Sequence, residues 1–302
     1  MNTAKVKGSF FAICAAISYG LNPFFGIPLY AEGMLPLSVL FYRFAFAAVL
    51  TGLVLPLTGN TFRLPVKYLL PTIVAGILMA LTCLLWFLSF RIMDTGIAAT
   101  MLFVYPALVA VIMWGAFREK LNTFTIAGIV TAFGGVILLC QSGGNNISIA
   151  GIALIMGSAL AYAVYIVLVK VSPLKEFSPF TMTFYAMLIS VIILLIPLRM
   201  GFDLQMLPSW RAFGYATGLA LFPSLCAFLF TAIAVKHIGA TQTAVLGALE
   251  PVTAVTVGIL VFHETLTVKT VCGIVMIIMA TVTVICGTQK KQEHEISTDY
   301  EK

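Results

Sequence analysis

The sequence predicts an all-α membrane protein whose ten transmembrane helices form two five-helix repeats of inverted topology. Three observations support this fold class: an apolar composition, ten uncharged runs of membrane-spanning length, and a repeat that relates the two halves of the chain. Of the 302 residues, 61% are hydrophobic and 9% are charged, and the mean hydropathy is +1.08. A water-soluble chain needs a more polar exterior than this composition supplies, so the chain is expected to lie in a lipid bilayer.

Ten apolar runs follow one another along the chain and are called spans 1 to 10. Each has roughly the 17–25 residues that an α-helix needs to cross about 30 Å of hydrocarbon. Membrane strands would need about ten residues of alternating polarity, and the runs do not alternate. Span 1 follows Lys5 and Lys7 as a signal peptide would, but its length and the lack of a small-residue cleavage site predict a retained helix. The runs are 8–29, 35–57, 68–90, 96–117, 123–140, 149–169, 180–198, 212–235, 238–262 and 270–287.

Lysine and arginine residues are divided unevenly between the two sides of such a ten-span chain. One side carries twelve, and the other carries only Arg91, Arg199, Arg211 and Lys269. Because basic residues collect on the cytoplasmic side, both termini are expected in the cytoplasm and the chain in the inner membrane. The formal net charge of +6 therefore indicates topology and not nucleic-acid binding. Residues 288–302 mix both charge signs without an apolar face and are expected to form a disordered cytoplasmic tail.

The second half of the chain repeats the first. A shift of 145 residues matches Pro106 with Pro251, Glu119 with Glu264, and Gly128-Ile129-Val130 with Gly273-Ile274-Val275. A shift of 143 residues matches Tyr19 with Tyr162, Pro36 with Pro179, and Phe41-Tyr42 with Phe184-Tyr185. Spans 1 to 5 therefore resemble spans 6 to 10.

An odd number of spans per repeat requires the second repeat to cross the bilayer in the opposite direction to the first. Inverted repeats recur in secondary transporters, in which two similar halves expose a central site to each side in turn. Duplicated scaffolds and channels also contain repeats, so the repeat alone leaves those classes open.

Several stretches resemble the EamA domain of the drug/metabolite transporter superfamily. The pattern L-E-P-V-x-A…G-x-L-x-F-x-E-x-L at 249–266 is similar to the end of that domain, and Tyr105-Pro106 with "GAFREKL" fits it in the first repeat. "SYGLNPFFGIPLYAEGMLP", "FYRFAFAAVL" and "AYAVYIVLVK" are similar to further helices of the family, although Tyr19 stands where tryptophan is common. The resemblance implies two EamA repeats, at 8–140 and 149–287, around a cavity lined by spans 1, 3, 4, 6, 8 and 9. It also implies transport of amino acids, drugs or other metabolites.

Glu250 and Pro251 interrupt the apolar pattern of span 9. Glu250 is the thirteenth of the 25 residues in this run, so it is expected near the middle of the bilayer, where a charge costs about 3 kcal/mol. Pro251 has no N–H, so it leaves the carbonyl of Gly247 unpaired and predicts a kink. Three roles are open for Glu250: binding a cationic substrate group, shuttling a proton, or pairing with another polar group to hold helices together. Tyr105 occupies the equivalent place in repeat 1, so the helix fold itself does not require a carboxylate.

Arg43 is the only other charged residue inside the spans, about 12 Å of helix from the non-cytoplasmic end of span 2. Its side chain is expected to reach the interface or a backbone carbonyl, where it either anchors span 2 or contacts an anionic group or a gate. Its depth makes an ion pair with Glu250 the less favoured arrangement. Asn22 and Pro23 place an amide beside a predicted helix break in span 1, and the amide either lines a cavity or bonds a neighbouring helix.

Further polar atoms enter the apolar runs through aromatic side chains and one amide. Each of these is a candidate cavity-wall residue, with a packed or interfacial position as the alternative. Together with Glu250 and Asn22 they form the predicted binding site, and Pro23, Pro106 and Pro251 are the predicted helix breaks. The candidates are Tyr19, Trp86, Tyr105, Tyr162, Tyr165 and Gln242.

The sequence has no pattern typical of a catalytic, metal or cofactor site. All six cysteines lie inside spans without a C-x-x-C pair, and the three histidines lack metal-ligand spacing. There is no G-x-S-x-G elbow, no phosphate-binding P-loop and no second membrane-buried acid. Uphill transport is therefore expected to depend on an ion gradient or on solute exchange.

These features predict a secondary transporter that moves small metabolites across the inner membrane by alternating access. The family resemblance favours amino acids or related compounds, moved outward, and protons are a candidate coupling ion. A passive facilitator or channel is the first alternative, and an intramembrane enzyme acting on lipid is the second. The expected partners are the solute and the lipid bilayer, and the sequence specifies no oligomeric state.

Overall fold

The structure, a computed structural model, describes residues 3–118, 123–140, 148–227, 229–231, 233–234, 237, 246–247, 249–264, 266–280 and 282–283. Gln242 and the predicted tail at 288–302 lie outside these residues. Within the described ranges, six helices are long and apolar enough to cross a membrane, and four shorter apolar helices accompany them. They fall in order on the ten predicted runs. A multi-pass helical fold is thereby confirmed, while the count of ten spans stays a prediction.

Spans 1 and 4 of the first repeat are each broken into two helices. In both, a proline stands in the first turn of the second helix, where its missing N–H removes no intrahelical hydrogen bond. These prolines are Pro23 and Pro106. The helices are α1 (Thr3–Gly20) and α2 (Asn22–Ala31) in span 1, α3 (Pro36–Leu57) in span 2, α4 (Val66–Ser89) in span 3, α5 (Thr95–Leu102) and α6 (Tyr105–Phe117) in span 4, and α7 (Thr123–Cys140) in span 5.

Serine caps begin three helices of the second repeat. The side chains of Ser148, Ser178 and Ser209 each accept a hydrogen bond from the backbone N–H three residues later, which satisfies a donor that the helix leaves free. A π-helix, Leu221–Cys226, continues the third of these helices, and 3₁₀ turns lie at Pro173–Glu176 and Arg199–Gly201. The helices are α8 (Ile149–Val171) in span 6, α9 (Pro179–Leu195) in span 7, α10 (Trp210–Ala220) in span 8, α11 (Leu249–Phe262) in span 9 and α12 (Val268–Ala280) in span 10.

Contacts between the repeats occur in equivalent pairs. Span 3 packs against spans 6 and 7, and span 8 packs correspondingly against spans 1 and 2. Span 4 packs against span 6, and span 9 against span 1. Spans 2 and 7, spans 4 and 9, and spans 5 and 10 pack against each other. If each span is replaced by its equivalent in the other repeat, the same set of contacts results. The halves therefore interlock about a pseudo-twofold axis and share one core.

Two tyrosine hydrogen bonds obey the same relation. Tyr42 Oη donates to the carbonyl of Gln205 at 3.0 Å, and Tyr185 Oη donates to the carbonyl of Phe62 at 2.5 Å. The two donor residues differ by 143 in residue number, and so do the two acceptor residues, which is the shift that relates the two repeats. Tyr42 is near the beginning of α3 and Phe62 follows its end, so the bonds lie at opposite ends of a helix about 33 Å long.

The outer faces of the helices are apolar as well as the core. Trp86, Phe44 and Phe87 are at most 2% exposed, whereas Leu53 and Leu260 are 65% and 71% exposed. Leucines exposed to this extent on many helices form a larger apolar surface than a water-soluble protein presents. The hydrocarbon of a bilayer is the environment that suits such a surface.

Candidate functional site

A cavity lies inside the bundle, where spans of both repeats meet. It has about 370 Å³ of empty space with its mouth included, near the lower limit for pockets that hold small molecules. The enclosed part of the cavity has room for only about one or two water molecules. A metabolite could therefore enter it only if the wall residues moved. The lining residues are Tyr19, Arg43, Phe44, Met79, Thr82, Cys83, Tyr162, Tyr165, Met187 and Ser224.

Arg43 is the charged member of this wall and is only 2% exposed. Its Nη1 donates to Asn22 Oδ1 at 2.6 Å, and its Nε donates to Ser224 Oγ at 3.2 Å. Asn22 Nδ2 in turn donates to the carbonyl of Tyr19 at 2.7 Å. The side chain therefore points into the bundle and joins spans 1, 2 and 8. This differs from the expected reach towards the interface or a backbone carbonyl, because side-chain oxygens of two neighbouring helices hold the guanidinium in the interior.

Irregular helix segments present both oxygens that bind Arg43. Asn22 begins α2 directly after the break at Leu21, with Pro23 next to it. Ser224 lies in the π-helix and follows Pro223. Proline and π-helical turns both displace the backbone from the α-helical register, so these side chains project where a regular helix would not place them.

Tyr19 and Tyr162 line the cavity and are equivalent in the two repeats. Tyr19 stacks on Trp86 with the ring centroids 5.9 Å apart. Tyr162 packs edge-on against Tyr105 at 4.7 Å and stacks on Tyr165 at 5.9 Å. Equivalent residues can meet only near the axis that relates them, so the cavity lies at the pseudo-twofold axis.

Glu250 lies beside the same tyrosines. It is in the first turn of α11, next to Pro251, and its side chain is partly buried. Its charge acts on the hydroxyls of Tyr19, Tyr105 and Tyr162. Tyr105 is the repeat equivalent of Glu250, and spans 4 and 9, which carry these two residues, pack against each other. The predicted free carbonyl at Gly247 stays a prediction.

Arg43 and Glu250 form no ion pair in the described part of the chain. Both charges nevertheless act on the Tyr19 hydroxyl. Arg43 lines the cavity, and Glu250 lies against Gly20, the residue after Tyr19 on the cavity wall, so a cation and a carboxylate lie near one site without direct contact. Such a site can bind a solute that carries groups of both signs.

Two buried polar atoms at this site have no hydrogen-bond partner among the described residues. They are Thr82 Oγ1, on the cavity wall, and Trp86 Nε1, one turn further along α4. A buried polar group without a partner costs about 1–3 kcal/mol, so such atoms indicate a place for a ligand or water.

The predicted wall residues divide into two groups. Tyr19, Tyr162 and Tyr165 line the cavity, whereas Trp86 and Tyr105 lie behind them in ring contact with Tyr19 and Tyr162. Asn22 is fully buried and reaches the site through its bond to Arg43.

The cavity wall differs from the expected one in two of its helices. Among the described residues, spans 2 and 7 contribute Arg43, Phe44 and Met187 to the wall, and spans 4 and 9 contribute none. Sequence reasoning missed Ser224, although the neighbouring proline in an apolar run is a signal for it. Thr82 gives no such signal, since a single threonine in a membrane helix is common.

Comparison with known proteins identifies the family. Uncharacterized transporters of Archaeoglobus fulgidus and Bacillus subtilis (YwfM) are 28% and 23% identical over 60% and 67% of the chain. The matched part spans 64% and 69% of those relatives. A crystal structure with 14% sequence identity superposes with a TM-score of 0.68 over 92% of this chain and 97% of that one, which supports the fold alone. The model of the EamA-like transporter family matches residues 6–141 and again 149–286, so the chain belongs to that family and is built from two of its repeats.

Proposed function

We propose that this protein is a secondary transporter that moves small metabolites across the inner membrane by alternating access. One observation carries the proposal: the repeat-equivalent residues Tyr19 and Tyr162 line one cavity at the pseudo-twofold axis, and spans 4 and 9, which carry the equivalent residues Tyr105 and Glu250, pack against each other. A site on the axis is bordered similarly by both repeats. Each repeat can therefore close it from one side while the other leaves it open.

The positions of the two tyrosine hydrogen bonds support opposite orientations of the repeats. An axis that relates opposite ends of α3 runs across the helix and not along it. In a bilayer such an axis lies in the membrane plane, as inverted repeats require. The narrow interior of the cavity also favours a carrier over an open pore, because a pore needs a continuous path.

Amino acids or related amphipathic compounds are the proposed solutes, moved outward, with both chain termini in the cytoplasm. The cavity offers apolar side chains, tyrosine hydroxyls and the Arg43 guanidinium, and the Glu250 carboxylate is nearby, which suits a small molecule with apolar and ionic parts. Glu250 is the proposed site for a cationic solute group or for a coupled proton. It lies next to Gly20, the residue that follows Tyr19 on the cavity wall.

Transport in proteoliposomes tests this function, with solutes chosen by metabolite profiling of cells that overproduce or lack the protein. We expect saturable flux, counterflow and a dependence on pH. Glu250→Gln should reduce the flux at least tenfold or remove its pH dependence. Glu176→Gln is the matched control, because that carboxylate is exposed in a loop.

Three results would contradict the proposal. Unchanged flux and pH dependence in Glu250→Gln would exclude the role of that residue. Linear flux without counterflow would indicate a passive facilitator or channel. A new lipid product, detected by mass spectrometry of the liposomes, would indicate an enzyme.

A further inference from the structure

Arg43 is a buried cation that the described residues leave without a carboxylate partner. Its two side-chain hydrogen bonds go to the neutral oxygens of Asn22 and Ser224. A charged group inside a membrane protein is normally compensated by an opposite charge. Within the described residues, contact with Glu250 does not provide that compensation.

The guanidinium has donors to spare at the cavity. Of its five N–H groups, the two bonds use one on Nε and one on Nη1, which leaves one on Nη1 and both on Nη2. Its Cζ lies 5.4 Å from the ring centroid of Phe87 and 5.9 Å from that of Phe44. Because phenyl rings accept a cation at their faces but offer no lone pairs, the remaining N–H groups have no acceptor among the described residues.

Two further buried polar groups on α4 can donate and have no hydrogen-bond partner among the residues that the structure describes. Thr82 Oγ1 is on the cavity wall, and the indole N–H of Trp86 is one turn away, behind Tyr19. Indole nitrogen can only donate. The guanidinium and the Thr82 hydroxyl line one cavity and form a donor group to which the described residues offer no carboxylate. The ligand that such a group lacks is an oxyanion.

The size and charge of the site favour a carboxylate over a phosphate. One guanidinium balances one negative charge, and its planar edge matches the two oxygens of a carboxylate. The neighbouring wall residues Phe44, Met79 and Met187 are apolar and suit a hydrocarbon group. Ala186 stands at the equivalent position in the second repeat, so the repeat symmetry supplies no second arginine to the cavity.

We propose that Arg43, with Thr82, forms an anion subsite that binds the carboxylate of the transported solute. The inference rests on the proposed transport function and adds a rule of selection: solutes carry one carboxylate and an apolar group. The solute binds in one orientation, with its carboxylate at span 2 and any amine towards Glu250 and the tyrosines.

Matched ligand pairs test this proposal on purified protein in nanodiscs. The probes are L-phenylalanine against L-phenylalaninamide, and 3-phenylpropionate against 3-phenylpropanamide, in a buffer of constant chloride. The readout is the thermal unfolding midpoint as a function of ligand concentration, which gives an apparent affinity. We expect at least one carboxylate to raise the midpoint at a concentration at least tenfold lower than its amide.

The variants separate ligand binding from helix packing. Arg43→Gln should remove the preference for carboxylate, and Arg43→Lys should weaken it, because lysine keeps the charge but not the planar pair of donors. Arg63→Gln, at an exposed loop position, should keep the preference.

Thr82→Val tests the anion subsite even if the Arg43 variants do not fold. The Thr82 hydroxyl has no partner among the described residues, so its removal should leave the midpoint of the free protein unchanged or higher while the carboxylate affinity falls severalfold. A purely structural role would not separate these two effects.

Three results would overturn the proposal. The first is equal stabilisation by acid and amide, and the second is no stabilisation by any probe. The third is an unchanged preference for carboxylate in both Arg43→Gln and Thr82→Val. The same probes in the transport assay separate this inference from the proposed function. Carboxylate binding without flux would refute transport and keep the subsite. Flux of acid and amide at equal rates would refute the subsite and keep transport.

Discussion

Replacing Gly20 with alanine tests a close approach between spans 1 and 9, at the level of Glu250. Gly20 is the last residue of α1, and a Cβ there would lie 2.6 Å from Thr253 Cβ and 2.7 Å from the carbonyl oxygen of Glu250. Ordinary van der Waals contact begins at 3.4 Å. The helices α1 and α11 must therefore separate by about 0.7 Å, the difference between 3.4 Å and the 2.7 Å backbone contact. The neighbouring atom is backbone and cannot turn away.

Overpacking of this kind costs about 1–3 kcal/mol. At about 2–4 °C per kcal/mol for a chain of this size, the thermal unfolding midpoint in nanodiscs should fall by about 2–12 °C. Gly214→Ala is the control, since nothing lies within 4 Å of a Cβ at that position and alanine favours the helix by about 1 kcal/mol. Equal midpoints for the two variants would refute the close packing of span 1 on span 9. Transport by Gly20→Ala should also slow, because Glu250 moves with its helix.

Two further sets of substitutions test the packing and the symmetry of the fold. Ser158→Ala removes the 2.8 Å hydrogen bond from Ser158 Oγ to the carbonyl of Thr82, which joins α8 to α4, and should lower the free energy of unfolding by about 0.6–1.7 kcal/mol. An unchanged unfolding midpoint would contradict that bond. Tyr42→Phe and Tyr185→Phe each remove one of the equivalent tyrosine bonds, so each should cost about 0.5–1.5 kcal/mol. A difference between them of more than about 1 kcal/mol, by the same thermal assay, would argue against equivalence.

Local sequence features predict most of the fold. The positions of the spans can be predicted from hydropathy, because all residues of a run lie in an apolar environment, whichever residues they pack against. Helix breaks at Pro23 and Pro106 follow from the missing N–H of proline, which acts within one turn. The repeat predicts equivalent contacts, because two similar chains that pack together use similar faces.

The site is harder to predict because its bonds join distant parts of the chain. Arg43 binds Asn22, 21 residues before it, and Ser224, 181 residues after it. The sequence shows that Arg43 is buried in an apolar run but not which helices surround it. The π-helix that presents Ser224 depends on packing around α10 and has no distinct signature in hydropathy. The repeat is a better guide to the site, since it predicts that Tyr105 and Glu250 occupy equivalent positions in the two halves.

Cys83 offers the most direct test of the central claim, that the cavity on the pseudo-twofold axis opens to each side of the membrane in turn. It is 4% exposed and lines the cavity, so a thiol reagent can reach it only when a path opens. A variant that keeps Cys83 as its sole cysteine is treated with a membrane-impermeant methanethiosulfonate in right-side-out and in inside-out vesicles. We predict labelling from both sides, with one rate rising as the other falls when the solute gradient is reversed. Labelling from one side only, or from neither, would contradict the account.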